Sequence, residues 1–283
     1  MIAIITDSTA DLPAERIKAQ SIDVVPLYVV WGEDELLDGR DITAKQFYER
    51  LETDPVQPMT SQPTPADFAA VLQQAREAGA EAAVILTIST QLSGTYSSAL
   101  QAAKRMDFPV HVHDSRSTSM GLGWQVLTAA KVRDEGGDCK AILKAIEDLR
   151  SRMVVMLYVD TLEYLHKGGR IGGARRLIGT ALNIKPMLYV NNETGEVEAG
   201  PSTRTRSRAV DGIIKRFIEQ LDPNKPAHIG ITDGNSDPSE IEHITERIKA
   251  AFPVVDIVRS LTSPVIGVHT GPRAFALCGY SDR

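Results

Sequence analysis

The chain is poor in several things that would announce a function. Among its 283 residues there are two cysteines, and aromatic residues make up 5%. Cys139 and Cys278 are far apart and in no Cys-x-x-Cys spacing, so a cysteine zinc cluster and a redox dithiol are both excluded. Two reduced thiols of a reducing compartment are expected instead. No apolar run approaches the roughly 20 residues that span a bilayer. The short apolar run at 2–5 lacks a preceding basic region, so it does not read as a signal peptide, and a cytoplasmic protein is expected. An excess of positive charge is missing too: 31 Lys and Arg stand against 37 Asp and Glu, a net charge of −6. That balance argues against a general nucleic-acid or anionic-membrane binder, and leaves at most transient membrane contact.

What is present is the balance of a globular protein, 42% hydrophobic and 24% charged, in a chain long enough for two domains. In the first half, strand and helix signals alternate. Apolar runs at 2–5, 23–31, 81–89 and 110–113 read as strands, and helical spacing covers 13–19, 43–52, 66–78, 96–105, 120–135 and 140–150. The proline-rich stretch 55–65 should be extended. Such alternation predicts parallel β-α-β units in a Rossmann-like layer, with polar strand ends at Thr6-Asp7-Ser8, Ser93-Gly94 and Asp114-Ser115 gathered on one edge, where ligands sit. The second half has another rhythm: a strand at 153–159, a short helix from 161, a hairpin around 191–194, a helix at 207–221, a strand at 227–232, a helix at 238–252, and strands near 254–261 and 275–279. It predicts an α+β domain with helices on one side of a mixed sheet. The fold class is therefore α/β in two domains, an N-terminal α/β domain at 1–157 and a C-terminal α+β domain at 158–283.

Few residues carry chemistry on their own. Ser93-Gly94-Thr95 joins a strand end to a helix start, which offers a hydroxyl, free amides and the positive helix end to a carboxylate or phosphate; serine and glycine are also ordinary caps. Thr60-Ser61-Gln62 places three hydrogen-bonding side chains in the proline-rich loop, where they face either a ligand or solvent. Lys167-Gly168-Gly169-Arg170-Ile171-Gly172-Gly173 fails the phosphate-loop pattern; its glycines let the chain change direction, and Arg170 is expected to meet an acid across the domain interface. Arg204, Arg206 and Arg208 make a basic stretch without interleaved aromatics, which reads as a solvated face rather than a single-strand nucleic-acid site. His269 follows the strand-like run 264–268 and either donates to an anion or serves structure. His111 and His113 share a strand face without a third ligand, so no metal site is expected. Ser93 lies outside a Gly-x-Ser-x-Gly elbow, and a hydrolytic pairing with His269 lacks a sequence signature.

In order and spacing, these motifs resemble the DegV family, the fatty-acid-binding subunits of bacterial fatty acid kinase. The resemblance runs through Ile5-Thr6-Asp7-Ser8-Thr9-Ala10-Asp11-Leu12-Pro13, Thr60-Ser61-Gln62-Pro63, Leu92-Ser93-Gly94-Thr95-Tyr96, Asp114-Ser115, Lys167-Gly168-Gly169-Arg170-Ile171, Lys185-Pro186, Arg204-Thr205-Arg206 and Gly267-Val268-His269-Thr270-Gly271-Pro272. It implies a tunnel between the domains that holds one long-chain fatty acid. The carboxylate would rest on Thr60, Ser93 and Gly94, with Ser61 and His269 also at the ligand. It implies no catalytic residue proper and no cofactor beyond the bound fatty acid. A partner ATP-dependent kinase would make the acyl phosphate for phospholipid metabolism, with Arg204 and His269 assisting. One departure stands out: where many relatives continue with glycine after this last motif, this chain has Arg273.

Overall fold

The computed structural model describes residues 1–178 and 184–283. Strand β1 (Ile2–Asp7) passes through a 3-10 turn (Ser8–Ala10) to helix α1 (Ala14–Ala19) and β2 (Ile22–Val25). Next come β3 (Tyr28–Trp31), β4 (Asp34–Leu37), α2 (Ala44–Thr53), β5 (Met59–Ser61), α3 (Pro65–Glu77), β6 (Ala82–Thr87), α4 (Thr95–Ala103), β7 (Val110–Asp114), α5 (Met120–Asp134) and α6 (Cys139–Arg150). The remainder is β8 (Val154–Tyr158), α7 (Glu163–Lys167), a 3-10 segment (Gly172–Leu177), β9 (Lys185–Val190), β10 (Val197–Thr203), α8 (Arg206–Gln220), β11 (Ala227–Asp233), α9 (Pro238–Ala251), β12 (Val254–Leu261), α10 (Pro264–Thr270) and β13 (Phe275–Ser281).

The helices start where the side chains can cap them. Thr43 with Gln46 and Thr64 with Asp67 form capping boxes on α2 and α3, the latter with Pro65 in the first turn; each box satisfies two orphan amides. Asp138, Thr205 and Asp237 cap α6, α8 and α9. The strands assemble into three sheets. The first, in order β2-β1-β6-β7, is wholly parallel. The second, β10-β9-β8-β13-β11-β12, is mixed, with only β11 and β12 parallel. A small antiparallel sheet, β4-β3-β5, stands apart from both. The α/β class with a parallel and a mixed sheet is thus the one the sequence predicted.

Helix α5 lies between the two large sheets. It is buried on nearly every side, from Met120 through Ala130, and one core joins Ile4 and Leu86 of the first sheet, Trp124 and Val126 of α5, and Val155 and Leu188 of the second. Two glycines permit that closeness: a Cβ on Gly121 would come 2.7 Å from Val155 Cγ2, and one on Gly230 would come 2.5 Å from Met120 Cβ. Outside the first sheet, α3 and α4 cover Ile5 and Ile85 with Phe68, Leu72 and Ala99. Outside the second, α8 and α9 cover Tyr158 and Ile231 with Ile213, Phe217 and Ile244. The small sheet packs its Val29 and Trp31 on Phe47 of α2 and on Val265 and Val268 of α10.

Two local expectations change, and two further features are seen only in the structure. The run 23–31 is two strands in different sheets, because Pro26 and Leu27 carry the chain from β2 across to β3. Strand β4, Asp34-Glu35-Leu36-Leu37, carries little β signal in its sequence and forms because it pairs with β3. The strand-like run 264–268 is the helix α10, begun by Pro264 at a position where its missing N–H costs nothing. A division at 157/158 passes through β8, whose residues pair with β13 and β9. By sheet membership the second lobe begins with β8.

Candidate functional site

The loops at the carboxyl ends of β6 and β7, the strand β5 and the helix α10 converge on a cavity between the lobes. Its volume is about 510 Å³, within the usual range for small-molecule sites. The first lobe contributes Ile88 and Leu92, the second Val155, Leu157 and Val190, and α10 contributes Val265. Most of the wall is apolar. Among the described lining residues, the only permanently charged side chain is Arg170, and there is no carboxylate.

Of the polar residues singled out in the sequence, Thr60, Ser61, Ser93 and His269 line this cavity. Thr60 is laid down on β5 by pairing with Val29, and its Oγ1 lies 2.8 Å from His269 Nε2 at the last turn of α10. Ser93 reaches the same cavity from the β6–α4 loop, its hydroxyl 2.8 Å from Thr95 Oγ1. Gly94 occupies the N-cap of α4 and offers no side-chain cap; it follows Ser93 in the chain but is not itself among the described lining residues. A Cβ at Gly94 would fall 2.0 Å from Gln62 Oε1; the glycine leaves room for the Gln62 amide, which donates to Ser98 Oγ at 3.3 Å. Ser61 is exposed at the rim.

His269 is a half-buried base. Burial foremost, and then the positive Arg170, hold its imidazole down to about 4, so the ring is neutral at neutral pH. Its Nδ1 is buried without a hydrogen-bond partner. Gly168 lies against that nitrogen, where a Cβ would stand 2.1 Å away. The Gly168-Gly169 pair therefore does more than turn the chain. Gly169, at φ +70° with nothing near its Cβ position, makes the turn, while Gly168 makes room for the imidazole.

One expectation about arginines changes, and a second arginine lies away from the cavity. Among the described residues Arg170 meets no acid. It donates through Nε to the Leu92 carbonyl at 2.9 Å and through a terminal nitrogen to the Gly168 carbonyl at 2.7 Å, which holds its charge beside Ser93 and His269. Arg204 is exposed and lines none of this cavity. The buried arginine of that segment is Arg206, which pairs with Glu240, stacks over Tyr158 and donates to the Arg273 carbonyl at 2.7 Å. The Arg-Thr-Arg pattern gives no hint of which arginine turns inward; that depends on where α8 meets β8 and α9. Serine and histidine do not form a nucleophile pair, since the Ser93 hydroxyl engages Thr95 and His269 engages Thr60. Of the two histidines on β7, His113 is covered by α6 and faces Glu147 at 3.9 Å, whereas His111 is exposed. Among the described residues no group of three or more His, Cys, Asp or Glu could hold a metal ion, and no helix is long and apolar enough to cross a membrane.

The fold is thus a two-lobed α/β architecture with a largely apolar cavity whose lining includes hydroxyls, an imidazole and one guanidinium. The comparisons with known proteins agree in class. The family model described as "Uncharacterised protein, DegV family" matches residues 1–282, and the chain belongs to the DegV family. It is 36% identical over 273 residues to a DegV domain-containing protein of Streptomyces coelicolor, covering 96% of this chain and 95% of that one. A DegV domain-containing protein of Deinococcus radiodurans is 36% identical over 276 residues, 96% of each. Among solved structures, a fatty-acid-binding DegV family protein from Thermus thermophilus superimposes with a TM-score of 0.92 at 35% identity, covering 99% of both chains. DegV of Bacillus subtilis, described as a fatty acid binding protein, gives 0.90 at 29% identity, again over 99% of both.

Proposed function

We propose that this protein binds one long-chain fatty acid, its tail in the cavity between the lobes and its carboxylate on Thr60, Ser93, Gly94 and His269, with Ser61 at the rim. The observation that carries this reading is the cavity wall: mostly apolar from both lobes and, among the described lining residues, without a carboxylate and with Arg170 as the single permanent charge. Burying a methylene contributes about 0.8 kcal/mol, so a tail of around sixteen carbons represents on the order of 12 kcal/mol of transfer free energy. Each head-group hydrogen bond nets about 1 kcal/mol, somewhat more when charged. The tail sets affinity and the head sets orientation.

That orientation suits a protein that hands over a carboxylate rather than transforming it. The bound acid would be presented to a separate ATP-dependent fatty acid kinase for acyl-phosphate formation, in a cytoplasmic setting, with no cofactor but the acid itself. Arg170 and His269 are the groups placed to meet a phosphoryl group on that carboxylate; Arg204, exposed and away from the cavity lining, is not. The reading is tested by denaturing extraction of freshly purified protein followed by mass spectrometry, and by uptake of labelled fatty acid. Stoichiometric fatty acid is expected. Protein that is lipid-free in repeated preparations and takes up no label would overturn it.

A further inference from the structure

Ser89 stands at the exit of β6, fully buried and four residues before Ser93. Every polar atom it has is engaged. Its amide donates to the Ser117 carbonyl, in the loop before α5, at 2.9 Å. Its carbonyl accepts from the Leu92 amide at 2.9 Å and from the Ser93 amide at 3.1 Å, which closes a tight turn and fixes where Ser93 leaves it. Its hydroxyl donates to the Gly195 carbonyl at 2.8 Å and accepts from the Gln91 amide at 3.2 Å. Just ahead of it, the buried carboxyl of Asp7 accepts from the Ile88 amide at 2.7 Å, so the turn is tied to the end of β1 as well.

Gly195 belongs to the second lobe. It sits in the hairpin between β9 and β10 with φ of +78°, and its amide donates to the Asn191 carbonyl at 2.7 Å. A Cβ there would stand 2.2 Å from Ser89 Oγ and 3.1 Å from Arg116 Cα, so the hairpin backbone itself is pressed against the first lobe. Arg116 makes the neighbouring contact, donating to the Glu193 carbonyl at 2.9 Å. On either side of this hairpin turn, Val190 ends β9 and Val197 begins β10, and both line the cavity. Ser89 therefore touches two things at once: the turn that presents Ser93, and the hairpin whose strands supply part of the apolar wall.

We propose that Ser89 is a positioning residue, joining the Ser93 turn of the first lobe to the Gly195 hairpin of the second so that the head-group hydroxyl and the wall at Val190 and Val197 keep a fixed spacing. Neither Ser89 nor Gly195 is among the described lining residues, so they act through Ser93 and the hairpin. The proposal rests on the fatty-acid reading only for the identity of the ligand. Its primary test is made without ligand. Protein carrying ¹⁵N in serine alone is prepared, and the Ser93 amide signal is assigned by its loss in Ser93→Ala. That signal is compared in wild type, Gly195→Ala, Ser89→Ala and the double variant.

Gly195→Ala is expected to displace the Ser93 signal, because the new methyl drives Ser89 Oγ away. In the Ser89→Ala background the same change should move it no further, since residues that share one hydrogen-bond network do not act additively. Should Gly195→Ala fail to fold, the second readout decides: the ratio of affinities for palmitate and hexadecanol. It is expected to fall about tenfold in Ser89→Ala, the worth of one charge-assisted contact, and to stay unchanged in Ile146→Val, a core change in α6 that lowers stability alone. A Ser93 signal unmoved by Gly195→Ala, a shift just as large with Ser89→Ala present, or an unchanged ratio in Ser89→Ala would overturn the proposal. A wild type that takes up no palmitate would overturn the fatty-acid reading instead, and the ligand-free serine signals would still decide this one.

Discussion

Replacing Gly168 with alanine sets two effects of opposite sign against each other. The backbone there is helical, φ −75° and ψ −8°, so alanine by itself would stabilise by up to about 1 kcal/mol. The new methyl, however, would stand 2.1 Å from His269 Nδ1, 2.8 Å from Cε1 and 3.1 Å from the Tyr164 carbonyl. Non-bonded contacts settle near 3.5 Å or beyond, so the imidazole must retreat by more than an ångström. That retreat breaks its 2.8 Å bond to Thr60. Overpacking of this kind costs about 1–3 kcal/mol, which outweighs the backbone gain and leaves a net loss of about 1 kcal/mol. The consequence for function is larger, because a misplacement of about 1 Å at a reacting group costs up to about 100-fold in rate. If the proposed function holds, Gly168→Ala is expected to keep fatty-acid affinity within about tenfold, since the tail dominates it, while acyl-phosphate formation by the proposed kinase partner falls by about 100-fold. Thermal denaturation, labelled fatty-acid titration and a coupled kinase assay measure the three quantities. Gly169→Ala is the control: it strains a left-handed residue with no neighbour within 4 Å and should lower stability by about 1 kcal/mol without touching His269. A Gly168→Ala protein more stable than wild type and fully active would refute the argument.

His269 and Asp38 change stability with pH in opposite directions over overlapping windows. His269 is depressed to about 4 from 6.5, so its contribution is present above 6.5 and lost as pH falls through 4, on the order of 3 kcal/mol. Asp38 is raised by burial from 3.8 to about 8, so its contribution is full below 3.8 and lost as pH rises through 8. The two slopes oppose each other between about 4 and 6.5, so urea denaturation of His269→Gln and Asp38→Asn beside wild type separates them; pH profiles of both variants parallel to wild type would contradict both. Arg273 holds φ of 60°, where glycine is at ease and an arginine is strained. Its side chain is 57% exposed and approaches Asp160 only at 3.9 Å, so Arg273→Gly should raise the unfolding free energy by about 1 kcal/mol; a loss of stability would show that the arginine has a structural role the contacts do not reveal.

The positions that the sequence could mark were those where one residue type does one local job. Ser93-Gly94 reads as a strand-to-helix joint, and it joins β6 to α4 with Ser93 in the cavity lining. Thr60-Ser61-Gln62 reads as a polar stretch on extended backbone, and it becomes β5. The readings that failed concern groups whose role depends on a distant neighbour. Arg170 was paired in expectation with an acid, but it bonds to carbonyls of Leu92 and Gly168. Arg204 and Arg206 are two residues apart in one motif, and only the position of Glu240 and Tyr158 decides that Arg206 is the one turned inward. Asp38 carries no motif signal at all; its place comes from the Ser8 hydroxyl, 30 residues away in the chain, which donates to it.

By itself the sequence determined the periodicities: alternating strands and helices in the first half, a mixed sheet flanked by amphipathic helices in the second, and a charge balance unsuited to nucleic acid. These follow from local backbone preference and from the burial of one face of each element, which a neighbouring stretch of chain is enough to specify. Only the tertiary structure decided that α5 is shared between the two sheets, that the run before His269 is a helix rather than a strand, and that the walls of the cavity come from both lobes. Those outcomes depend on which apolar faces meet across hundreds of residues, and on buried carboxyls that must find donors wherever the fold brings them.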